Sequence, residues 1–169
     1  EIEQILIGNE SYEDEKEFDN LLFIIRKRIE KQIRANNIND FYICSLSSRS
    51  IIYKGMFLAE HLTDFYQDLL EKRFVSSFAL YHQRYSTNTF PTWELAQPFR
   101  LLAHNGEINT LKGNVNWMKS HEIRMVSNVF GEHSSFLKPV VQPGSSDSAA
   151  LDAVFELLVR AGRDIPLVK

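Results

Sequence analysis

Between Lys16 and Ala35 the apolar residues Phe18, Leu21, Leu22, Ile25, Ile29 and Ile33 recur at steps of three and four. An α-helix gathers that spacing on one side, whereas a strand would scatter it over both faces. The segment is expected to be an amphipathic helix ended by Asn36 to Asp40, and any fold of this chain must cover its stripe. A second helix is expected to start near Asp147, with Leu151, Val154, Phe155 and Leu158 at helical spacing. The turn Gln142-Pro143-Gly144-Ser145 leads into it and Gly162 supplies a C-terminal stop.

Elsewhere the pattern is mixed. Glu1 to Ile7 alternates imperfectly, as a short strand would, and Gly8 to Glu15 is a polar connection. Phe41 to Leu46 and Ser50 to Lys54 are β-rich runs around a polar turn at Ser47 to Arg49, which predicts a hairpin. A short helix is expected over His61 to Lys72, a buried strand over Val75 to Tyr81, and a loop over Thr87 to Pro98. Phe99 to Ala103 reads as another short strand and Gly113 to Arg124 as a helix. With no repeat and no internal linker, these elements predict one α+β domain, but they do not choose among α+β layer arrangements.

At 169 residues the chain can bury about 70% of its unfolded surface, enough for a core. Its 44% hydrophobic and 24% charged residues exclude a disordered or fibrous class. Nineteen Lys and Arg against 22 Asp and Glu leave a net charge of −3, so nucleic acid is not an expected partner. The apolar run Leu21 to Ile25 falls far short of a membrane span, no signal peptide opens the sequence, and the single Cys44 permits no internal disulfide. The cytoplasm or an organelle interior is the expected location.

Three polar segments could carry chemistry. Tyr81-His82-Gln83-Arg84-Tyr85-Ser86-Thr87 follows an expected strand, and there Arg84 offers a guanidinium fork for a carboxylate and Thr87 a hydroxyl. Taken alone, an ordinary salt bridge with strand-capping hydroxyls explains it better. His104-Asn105-Gly106-Glu107-Ile108-Asn109 contains the commonest hairpin dipeptide. Ile108 to Met118 does not alternate like a returning strand, however, and the Asn105 amide with the Gly106 N–H could form an oxyanion hole. In Pro143-Gly144-Ser145-Ser146-Asp147-Ser148, helix capping accounts for two of the four polar residues, leaving a carboxylate at Asp147 for an ammonium.

In this order the three segments resemble the signature of class II glutamine amidotransferases. The wording FALYHQRYSTNTFPTWELAQPFRLLAHNGEINTLKGNVNWMKSHE from Phe78 to Glu122 is similar to the amidotransferase domains of glutamate synthase large subunits, as are FYICSLSSRSIIYKG and PGSSDSAALD. The resemblance covers nearly the whole chain. It implies a four-layer αββα sandwich of the N-terminal nucleophile hydrolase type, incomplete here, with residues 1–169 forming a partial domain. It also implies L-glutamine as substrate, attacked by an N-terminal cysteine whose α-amino group is the base. Arg84 then holds the glutamine carboxylate with Thr87 as a lesser contact, Asp147 binds the α-amino group, Asn105 and Gly106 form the oxyanion hole, and Glu107 adds a contact. The parent would pass ammonia to domains carrying FMN and an iron–sulfur cluster, and the resemblance leaves open a small electron-transfer subunit. This chain starts with Glu1, so it is expected to be a piece of a longer protein, inactive by itself for want of the cysteine.

Two rivals and two absences complete the reading. Cys44 could be the nucleophile of another thiol hydrolase, with His82 or His104, but its β-rich setting lacks a neighbouring cation and fits a buried structural thiol better. The chain could also be a non-catalytic glutamine-binding or interaction module. His61, His82, His104, His121 and His133 lack zinc-ligand spacing, so no metal site is expected, and Lys112 precedes Gly113 where a phosphate loop would need the reverse.

Overall fold

The computed structural model describes residues 2–83 and 89–168, and the chain divides into two compact units, Glu1–Ile51 and Ile52–Lys169. The first unit is built on α1, Glu15–Ala35, close to the span that its periodicity predicts. Asp14 caps it, its carboxylate accepting from the Lys16 N–H at 2.7 Å. Glu15 and Glu17 in the first turn and Arg34 in the last complement the helix dipole. Phe18, Leu22, Phe23 and Ile24 are buried, and so are Asp19 and Arg26 on the same flank.

Each of those two buried charges is matched. Arg26 pairs with Glu30 at 2.7 Å and lies over the Phe23 ring. Asp19 accepts from the Ser47 hydroxyl at 2.8 Å and the Ser48 N–H at 2.9 Å. The expected turn at Ser47 to Arg49 is therefore present, but a helix side chain ties it down and the flanking runs form no strand. The second unit ends in one helical turn, α5, Ile165–Val168.

The helix expected over His61 to Lys72 is broken into a 3-10 turn at Ala59–His61, one turn of α-helix at Leu62–Phe65 (α2) and a second 3-10 turn at Gln67–Leu70. Tyr66 breaks it, with φ −118°, because its ring is buried and its hydroxyl donates to the Lys54 carbonyl at 2.6 Å. Phe57, Phe65, Tyr66 and Trp93 pack around this point. Gly55 is required beside them, since a Cβ there would meet the Phe57 ring at 2.4 Å and Trp93 at 2.7 Å.

Among the described residues no β-strand is assigned, which corrects the strands expected at 2–7, 41–46, 50–54, 75–81 and 99–103. Val75 to Tyr81, expected to be a buried strand, is open instead: Val75, Phe78 and Tyr81 are each more than 80% exposed. An apolar run fixes which side chains need cover, but a strand also needs a lateral partner for its backbone and a layer against its face. Phe99 to Ala103 closes into a turn, the Phe99 N–H donating to the Leu102 carbonyl at 2.9 Å.

Helix α3, Leu111–Arg124, starts after Thr110 at φ +63° and buries none of its residues. The Lys138 ammonium satisfies its C-terminal carbonyls, donating to Glu122 at 2.5 Å and Met125 at 3.2 Å. A 3-10 segment, Gly131–Leu137, follows and was not expected. Helix α4, Asp147–Arg160, begins close to the predicted residue, capped by the buried Ser146, whose hydroxyl accepts from the Ala149 N–H at 3.1 Å. Gly162 follows its end at φ +93°, the left-handed stop that the sequence suggests. Its buried face differs from expectation: Ser148, Asp152 and Glu156 are covered together with Ala150 and Leu157, while Leu151 is exposed.

Candidate functional site

The start of α4 and the Asn-Gly segment meet, which places two of the three predicted segments together. The Asp147 carboxylate accepts from the Ile108 N–H through Oδ2 at 2.9 Å and from the Ser148 N–H through Oδ1 at 2.7 Å. The Ser148 hydroxyl lies 3.2 Å from the same Oδ1 and 2.8 Å from His104 Nε2. Burial pushes the Asp147 carboxyl up, but the N–H of Ile108, both donors of Ser148 and the nearby His104 together pull it below its ordinary value. The group is thus held as an anion despite being 7% exposed.

A second set of bonds fixes the other end of the Asn-Gly segment. The buried Gln97 side chain clasps the backbone of His104, accepting from its N–H at 2.8 Å and donating to its carbonyl at 3.0 Å. The same carbonyl lies 3.0 Å from His82 Nε2, which must donate to it. Asn105, Gly106 and Glu107 therefore form a three-residue exposed span between two tethered residues, His104 and Ile108. Arg84 and Thr87 lie outside the described residues.

Asp152 extends the tether one helical turn further. Its buried carboxylate accepts from the Leu101 N–H at 2.8 Å and the Arg100 N–H at 3.3 Å, holding the turn before His104 on α4. Burial pushes the Asp152 carboxyl up and Glu156 adds to this, outweighing the Leu101 and Arg100 contributions that lower it. Gln97, Ser148 and Asp152 were not expected as parts of the site. The signal in the sequence is the recurrence of polar residues at every fourth position, Ser148, Asp152 and Glu156, which puts them on one helix face. Cys44, expected to be buried, is half-buried in the first unit.

Among the described residues no three His, Cys, Asp or Glu side chains gather as a metal ion would require, and no helix is long and apolar enough to cross a membrane. An iron–sulfur cluster needs several thiolates, so the lone Cys44 does not fit one, and no step is assigned through such a group or through FMN.

A carboxylate held as an anion beside an Asn-Gly turn is suited to grip an ammonium group. The sequence comparison agrees in class: the family model for glutamine amidotransferases class-II matches residues 1–168, and the chain belongs to that family. Within it, the chain is similar to the large chain of the NADPH glutamate synthase of Azospirillum brasilense, 68% identical over all of this chain and 11% of that protein. It is also 48% identical to the Bacillus subtilis counterpart, over 96% of this chain and 11% of that one. A ferredoxin-dependent glutamate synthase of Antithamnion is 50% identical over 86% of this chain and 10% of its own length. The chain spans about a tenth of the length of these curated relatives.

Proposed function

We propose that this chain is part of the glutaminase domain of a glutamate synthase, where it grips L-glutamine and stabilises the oxyanion formed when the side-chain amide is attacked. The observation that carries this reading is the 2.9 Å bond from the Ile108 N–H to Asp147 Oδ2, which joins the two motif segments across 39 residues of sequence. In this reading Asp147 takes the substrate ammonium and Arg84 its carboxylate, with Thr87 and Glu107 as lesser contacts. Asn105 and Gly106 donate to the oxyanion. The attacking thiol comes from outside these 169 residues, which by themselves do not hydrolyse glutamine. In this reading the parent domain is an αββα sandwich of the N-terminal nucleophile hydrolase type. The ammonia released serves reductive synthesis of glutamate from 2-oxoglutarate on domains that carry FMN and an iron–sulfur cluster.

The test is steady-state glutaminase kinetics on the full-length protein. Asp147→Asn and Arg84→Ala should each raise the glutamine KM by about 10- to 100-fold, the value of one charged contact of roughly 1.5 to 3 kcal/mol. Use of free ammonia should survive both changes. An unchanged KM in Asp147→Asn would remove the reading.

A further inference from the structure

His104 lies between the two halves of the site and has no role in the reaction as described so far. On one side its Nε2 is 2.8 Å from the Ser148 hydroxyl, which is itself 3.2 Å from Asp147 Oδ1. On the other side its Nδ1 faces Gly106 so closely that a Cβ added there would approach to 3.3 Å. The direction of the chain of bonds follows from counting protons. A hydroxyl carries one, and an ionised carboxylate can only accept. The Ser148 proton therefore points to Oδ1, and the Ser148 oxygen accepts from a proton on His104 Nε2.

Asp147 is then held from two directions, by Ile108 through Oδ2 and through Oδ1 by the Ser148 N–H and the Ser148 hydroxyl, the latter backed by His104. Two opposed anchors set the rotation of a carboxylate where one would leave it free to turn. The backbone that carries the ring is fixed, because the N–H and carbonyl of His104 are both taken by Gln97. We propose that His104 is a positioning residue for glutamine: through Ser148 its imidazole holds the Asp147 carboxylate in register with Asn105 and Gly106. The proposal rests on the glutamine reading above and adds a residue to it.

The experiment uses glutamine hydrolysis by the full-length protein and the variants His104→Asn, His104→Gln, Ser148→Ala and the double variant His104→Asn/Ser148→Ala. His104→Asn and Ser148→Ala should each raise the glutamine KM by several-fold to about tenfold, with kcat little changed, because each interrupts the chain of bonds from His104 through Ser148 to Asp147 behind the ligand contact. The double variant should be no worse than either single, since both break one relay. His104→Gln should recover most of the loss, because its amide N–H reaches the position of Nε2 and that of Asn does not. An unchanged KM in Ser148→Ala, additive losses in the double variant, or a Gln variant no better than Asn would overturn the proposal. Melting curves decide whether the His104 variants fold; if they do not, the smaller change Ser148→Ala carries the test alone. A normal Asp147→Asn would instead overturn the glutamine reading, so the two failures are distinguishable.

Discussion

Replacing Asn105 with alanine in the full-length protein is expected to lower glutamine turnover by about 10²- to 10³-fold, the loss typical of one oxyanion-hole donor. The change in KM should be much smaller. Only contacts that strengthen as charge develops accelerate a reaction, and an amide N–H aimed at the oxyanion meets little charge on the ground-state carbonyl. The fold supports this division of labour. Asn105 is exposed, so its side chain is available to a ligand, yet its backbone is strung between His104, fixed by Gln97, and Ile108, fixed by Asp147. A donor held in this way needs little reorganisation when charge appears. Steady-state kinetics with glutamine would check the prediction: equal losses in kcat and in apparent binding would mean that Asn105 is a ground-state contact.

The helices were legible in the sequence because their signals are local. The stripe from Phe18 to Ile33 specifies α1, and the turn before Asp147 and the stop at Gly162 bracket α4. The strands expected from β-rich runs were not found among the described residues, because side-chain pattern records a need for burial and leaves the ladder partner unspecified. The breaking of the 61–72 helix at Tyr66 was hidden for a similar reason, since its cause is a carbonyl at Lys54. In the site, the motifs put the Asn-Gly segment and the turn before Asp147 into one reading, and the structure joins those two segments through Ile108 and Asp147. The bonds that hold them were not readable: Gln97 to His104 is a short-range clasp inside an expected loop and strand, and Asp152 reaches back 51 residues to Leu101.

Asp152→Ala should loosen the turn before His104 more than any other single change on α4. It leaves the part-buried Arg100 and Leu101 N–H groups without their carboxylate, and each lost hydrogen bond costs roughly 0.5 to 1.5 kcal/mol. Two of them correspond to amide exchange at Arg100 and Leu101 that is faster by on the order of 10²-fold, measured by hydrogen exchange on the full-length protein. Unchanged protection across residues 97–104 would show that the turn is held by other contacts. The pH dependence gives a second check. Burial raises the Asp152 carboxyl, so between its ordinary and its raised value the folded state holds a proton that the unfolded chain has released. Its contribution is complete below the ordinary carboxylate range and is lost as pH rises through the folded value. Asp147, with its carboxyl lowered, runs the other way: its contribution is present above the ordinary range and lost as pH falls through the folded value. The protection that Asp152→Asn removes should therefore be larger in acid than at neutral pH, and that removed by Asp147→Asn larger at neutral pH. The same sign for both would mean that the two carboxylates share one environment, contrary to their separate bonds to Leu101 and Ile108.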